Sequence, residues 1–208
     1  MAQMTRKIII ILMTFIVATN VYALVELSGS FSYDRTIYGS ARQNKSIDRT
    51  YAGTLAFFIY NFTALELNYS WNDEIITENE TIPIEGFDLN LVSTQSKVNN
   101  EVYGIGIRQA FSGKGARIKP SISLGYAKQF IVSTSNATYL NTSSGARFVY
   151  SANPSKSRVD SVFGTFALQI KITGRLSLKG SIYTLFPAND INQAKDNIKY
   201  SAGFSWYL

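Results

Sequence analysis

Neither cysteine nor histidine occurs anywhere in the 208 residues. The first absence removes disulfides, thiol nucleophiles and thiolate metal ligands. The second removes the one side chain that titrates near neutrality unaided, and with it the usual general base and the commonest metal ligand. Charge is sparse as well: Asp, Glu, Lys and Arg make up 16% of the chain, against about a quarter in ordinary soluble domains. Only 4 prolines are present, too few for a linker-rich or disordered polypeptide. After Leu24 no apolar run exceeds about ten residues, half of what a membrane-spanning helix needs.

The first residues form a separate unit. Arg6 and Lys7 precede an apolar stretch from Ile8 to Val17, and Val21-Tyr22-Ala23 supplies compact residues at the positions a signal peptidase reads. The pattern predicts a cleaved secretory signal over 1–23 and a mature chain from Leu24 to Leu208. Cleavage removes two bases and no acid, so the formal charge falls from +6 to +4. With no Cys after the site, lipidation there is excluded.

What the mature chain has in abundance is a period of two. Aromatic residues are 13% of the total, and they share one parity with aliphatic ones. The runs are Val25 to Tyr33, Tyr51 to Ile59, Leu65 to Trp71, Tyr103 to Ile107, Ile118 to Tyr126, Val162 to Ile170, Leu176 to Ile182 and Ile198 to Leu208. Eight such runs predict an all-β fold of eight antiparallel strands in an up-and-down barrel, each long enough to cross hydrocarbon when tilted. Tyr60 to Thr63, Ser112 to Ala116 and Thr173 to Arg175 read as tight turns, while the stretches near 39–49, 72–99, 131–159 and 187–196 read as long polar loops. An open sheet edge in lipid would leave backbone groups unpaired at several kcal/mol each, so the last strand must pair with the first.

Parity alone does not say which face is inside, but the aromatic residues do. Tyr33, Tyr51, Tyr69, Trp71, Tyr103, Tyr126, Phe186 and Tyr200 fall at the loop end of the apolar face, and Phe57, Phe111 and Trp206 at the turn end. Two girdles flanking an aliphatic band belong at the two interfaces of a bilayer. On these residues the mature chain resembles the small eight-stranded bacterial outer-membrane barrels of the OmpA/OmpX/OmpW type. Its ending, with Phe204, Trp206 and Leu208 at alternate positions, resembles the signal that the barrel-assembly machinery reads in that class, with Leu208 where the class prefers Phe. The resemblance covers the barrel and implies no periplasmic domain. It implies a Gram-negative outer-membrane location, with lipid and lipopolysaccharide as surroundings and no nucleic-acid partner.

The opposite parity carries small polar residues and seven charges: Glu26, Glu66, Arg108, Lys119, Lys171, Lys179 and Lys199. Eight strands enclose a lumen just wide enough to be filled by side chains, so these charges are expected to brace the interior as a network. A narrow porin-like channel for small anionic or amphiphilic solutes is the alternative. No enzyme is expected, because the outer-membrane barrel enzymes of this class rely on His. No cofactor and no metal site are expected either, and the acids between 72 and 90 match no calcium-loop spacing. On the outward parity just past the upper girdle, Arg35, Arg49, Lys128 and Arg158 are placed to meet lipopolysaccharide phosphates. The stretch 134–158 mixes Ser, Thr and Asn with Tyr139, Phe148 and Tyr150. This suits a hairpin above the membrane with an adhesive or partner-binding surface. The expected function is presentation of surface loops for envelope integrity, adhesion or contact with an extracellular partner.

Overall fold

Alternation of apolar and small polar residues gives every strand one greasy and one polar face, and only a closed sheet separates the two. The structure, a computed structural model, describes residues 25–113, 115–188, 190 and 197–208, so the expected signal peptide lies outside the described residues. The strands are β1 (Val25–Tyr38), β2 (Asn44–Phe58), β3 (Thr63–Glu78), β4 (Ile82–Ile84), β5 (Leu89–Ala110), β6 (Ile118–Asn141), β7 (Arg147–Ser151), β8 (Ser155–Lys171), β9 (Leu176–Pro187) and β10 (Ile198–Tyr207). All but β4 and β7 form an antiparallel ring in the order β1-β2-β3-β5-β6-β8-β9-β10. The ring closes where β10 returns to β1, from Glu26 opposite Tyr207 to Phe31 opposite Ala202. The Leu208 backbone N–H donates to Val25 O at 2.8 Å, so pairing continues to the last residue. The fold is therefore the all-β, eight-stranded barrel that the period of two requires.

Burial settles which face is inside. Leu124 is 63% exposed, whereas Ser123, its neighbour in the chain, is 3% exposed. The same inversion runs round the ring: Leu27, Leu67, Ile105 and Leu178 face outward, and Ser28, Glu66, Arg108, Ser177 and Lys179 are buried. A water-soluble barrel would do the reverse, so the exterior is that of a barrel immersed in hydrocarbon. Both aromatic girdles lie on that exterior, with Phe31, Tyr51 and Trp71 in contact across β1, β2 and β3 at centroid separations of 5.0 and 5.6 Å. Such pairs add packing at the interface beyond their buried area.

Two of the expected long loops are largely strand. β5 and β6 stay paired from Ala110 opposite Ser121 up to Leu89 opposite Asn141. β6 alone has 24 residues, where crossing a bilayer takes about 9–11. The upper halves carry Ser, Thr and Asn in place of alternating apolar residues, so the periodic signal fades although backbone pairing continues into water. β4 pairs with β5, and β7 with β6, so β4-β5-β6-β7 stands above the barrel as a four-stranded sheet. A register shift between Leu91 and Ser93 marks a bulge that bends this sheet.

Inside, Phe163 on β8 is buried against Gly125 on the adjacent β6 and against Gly104 and Gly106 on β5, the next strand beyond it. A Cβ at Gly106 would lie 2.7 Å from Phe163 Cζ, so those glycines make room for the ring. Tyr183 stacks on its other side at 6.5 Å between centroids.

Because the exterior is lipid-facing, Leu124→Arg is expected to destabilise the barrel by about 2–4 kcal/mol, the depth-dependent cost of a cation near the midplane. Urea unfolding in lipid vesicles measures this, and a cost near zero would mean that Leu124 faces water.

Candidate functional site

The lower lumen is assembled from almost the whole ring. Arg108 on β5 lies between Glu26 on β1 and Glu66 on β3, with Nη1 2.9 Å from Glu26 Oε1 and Nε 2.6 Å from Glu66 Oε2. Gln169 on β8 donates to Glu26 Oε1 at 2.6 Å and accepts from the Tyr207 hydroxyl on β10 at 2.6 Å. Ser123 on β6 donates to Glu66 Oε2 at 3.0 Å. Lys119 places its ammonium 4.2 Å from the Tyr207 ring centroid, a cation–π distance. β2 contributes Ala56, whose small side chain leaves room for the others. Isolated charges in such a site would be costly, but a guanidinium engaged by two carboxylates, each further hydrogen-bonded, is well matched.

This cluster divides the lumen. On the loop side lies a cavity walled by Ser30, Thr54, Asn68, Phe163, Ser181 and Ser201 and floored by Glu66 and Lys179. On the turn side lies a smaller one walled by Glu26, Arg108, Lys119, Gln169 and Tyr207. The two share no lining residue.

Of the seven inward charges, Glu26, Glu66, Arg108, Lys119 and Lys179 are brought together and buried. Lys171 sits half-buried at the turn end. Lys199 lies outside that cluster, toward the loop-side mouth of the cavity that Glu66 and Lys179 also line, with its ammonium 2.6 Å from Asp48 Oδ2. Asn72 donates to Asp48 Oδ1 at 2.6 Å. Glu74 faces the same mouth above Trp71, outside the hydrocarbon span; burial and the Asp48 carboxylate push its pKa up, against the pull of Lys199. Asp48 is a partner that sequence pattern missed. Carrying the inward parity of Ala52, Thr54 and Ala56 upward through Thr50 would have found it, had β2 not been cut off as a loop.

The outward cations fall into two separate pairs. Arg35 and Arg49 are diagonal neighbours on β1 and β2. Lys128 and Arg158 are diagonal neighbours on β6 and β8, with two strands between them and the first pair in either direction round the ring. Arg158 covers the Phe130 ring at 5.3 Å, and Lys128 is 3.9 Å from Asp160 with both side chains exposed. The acidic stretch is mostly paired strand: Asp73 meets Lys97 at 3.3 Å, and Glu78 accepts from Tyr38 at 3.2 Å. Asp88 accepts from the Ser143 hydroxyl at 2.8 Å, tying the two tall connections together. Among the described residues no cluster of three or more potential ligands for a metal ion occurs. Tyr139 and Phe148 are cross-strand partners with rings stacked at 5.3 Å, and Tyr150 lies two residues along the same face. Phe204, Trp206 and Leu208 all face outward and are exposed.

No protein-family model and no curated protein sequence matches the chain. Among solved structures it is similar to the N-terminal β-barrel domain of Pseudomonas aeruginosa OprF, with a TM-score of 0.51 at 14% identity over 89% of this chain and 98% of that one. It is also similar to the outer membrane protein OprG from Pseudomonas aeruginosa, with a TM-score of 0.50 at 11% identity over 89% and 96%. At these identities the likeness is one of fold. By fold the chain is a small eight-stranded barrel of the outer-membrane type.

Arg108→Met would leave Glu26 and Glu66 without their cation, and about 3–5 kcal/mol of stability is expected to be lost. Adding Glu26→Gln and Glu66→Gln should restore most of it. Urea midpoints of the single and triple variants test this; a single variant as stable as the parent would contradict the bracing role.

Proposed function

We propose that the chain is a non-enzymatic protein of the Gram-negative outer membrane that holds a stiff β-sheet above the cell surface for contact with an extracellular partner. It would be exported by the signal peptide expected over 1–23. The observation that carries the reading is the β4-β5-β6-β7 sheet. β7 has all five residues exposed, including Phe148, Val149 and Tyr150, and among the described residues it pairs with β6 alone. An unblocked edge of this kind is a template for an added strand, with backbone bonds giving affinity and side chains specificity. The opposite edge, β4, is only three residues long and contains Pro83, which lacks the donor a paired strand needs. One edge is blunted and the other is open. Tyr139, Phe148 and Tyr150 give the sheet an aromatic face beside that open edge.

The divided lumen supports this scaffold role over a passive channel, because a solute would have to pass the Glu26–Arg108–Glu66 cluster. The scaffold reading predicts that a photo-cross-linker at Tyr150 captures extracellular protein on intact cells, and that Val149→Pro removes the adducts while leaving the folded barrel in the membrane. Adducts unchanged by Val149→Pro would count against strand addition.

Lipopolysaccharide is proposed as the lipid partner, held chiefly at Lys128 and Arg158. There two cations and the Phe130 ring sit together at the upper girdle, the combination a phosphate with an acyl chain requires. Lys128→Gln with Arg158→Gln is expected to lower lipopolysaccharide retained by the purified barrel more than Arg35→Gln with Arg49→Gln. Equal retention in both variants and the parent would contradict the assignment.

A further inference from the structure

Lys179 stands apart from the other buried charges. Its side chain is 94% removed from solvent, since 6% remains exposed, yet among the described residues it forms no ion pair. Among the described residues its one hydrogen bond goes to Ser28 Oγ at 3.2 Å, although an ammonium has three donors. One oxygen of each neighbouring carboxylate is already engaged: Glu26 Oε1 by Arg108 and Gln169, and Glu66 Oε2 by Arg108 and Ser123. Lys179 lines the loop-side cavity and not the turn-side one. A buried cation with a single hydrogen-bond partner among the described residues therefore borders the space that widens toward the loop side.

The walls of that space differ in character. Ser30, Ser181 and Ser201 present hydroxyls on one side, while Val102, Ala127 and Phe163 present an apolar surface on the other. The charge beneath is favourable too. Arg108, Lys119, Lys171 and Lys179 against Glu26 and Glu66 leave the lower lumen with an excess of two positive charges, four minus two. Low-dielectric walls concentrate that field on the cavity floor. At the mouth, Lys199 pairs with Asp48, and Glu74 stands beside them.

We propose that the loop-side half of the lumen is a closed-bottomed binding site for a small organic carboxylate, with its anionic head on Lys179 and its short apolar body against Phe163. The carboxylate supplies the acceptors that Ser28 alone does not, and charge-assisted bonds of this type are about twice as strong as neutral ones. Binding needs no passage through the barrel, so the site is independent of what the protruding sheet contacts.

The test is titration of sodium butyrate into the isotope-labelled protein refolded in detergent micelles, at constant ionic strength. Saturable amide shifts are expected at Ser28, Ser30, Lys179 and Ser181, with magnetisation transfer from butyrate methylene protons to Phe163. Lys179→Met should weaken binding by about tenfold or more, and Lys156→Met, on the exposed upper end of β8 and outside both lumen cavities, should leave it unchanged. n-Butanol, which lacks the charge, should not saturate. Equal saturation by butanol, or by butyrate in the Lys179→Met protein, would overturn the proposal. If Lys179→Met does not fold, the parent decides alone: transfer confined to exterior residues, or shifts linear in butyrate, overturns it equally.

Discussion

Within hydrocarbon no water is available to satisfy a backbone N–H or C=O, and everything else about this molecule follows from that constraint. The pairing of β10 with β1 is its direct consequence, carried to Leu208 N–H on Val25 O. Once the ring must close, the period of two along each strand acquires a fixed meaning. Residues of one parity meet lipid and residues of the other meet one another. Above the bilayer the constraint lapses, and there β4 and β7 leave strand edges that the membrane would not permit.

Closing a ring with eight strands also fixes the diameter of the interior. The chain fills it in tiers. The Arg108 cluster occupies the turn-side tier, Phe163 seated on its three glycines the middle, and the Asp48–Lys199 pair the mouth. Each tier solves the same problem by different chemistry. Charges are matched and hydrogen-bonded where water is scarce, an apolar ring replaces absent backbone bulk, and a partly solvated ion pair suffices near the opening. Among the described residues Lys179 bonds Ser28 alone, and on that the binding site proposed for the loop-side cavity rests.

The barrel itself was legible in the sequence because lipid imposes a strong, one-sided alternation that strands such as Val25–Tyr33 and Leu65–Trp71 display without interruption. The inward parity of Glu26, Glu66, Arg108, Lys119 and Lys179 could be read for the same reason. What could not be read was three-dimensional assembly. Nothing in the spacing of Glu26, Glu66 and Arg108 says that one guanidinium meets both carboxylates, since β1 pairs with neither β3 nor β5 and faces them only across the lumen. The height of β5 and β6 was hidden because strands in water need no apolar period, so Ser93–Asn100 and Ser133–Asn141 look like loop. Gln169 and Tyr207 were invisible for another reason: uncharged residues carry no mark of a role until their partners are known.

The central claim is that the lumen is braced shut and that the function lies on the surface above it. Conductance of the refolded protein in a planar bilayer tests this most directly. A barrel that inserts in folded form and remains electrically silent is the predicted result. Discrete, sustained openings from the unmodified chain would contradict it, because ions would then be crossing a section that Arg108, Glu26 and Glu66 are held to close.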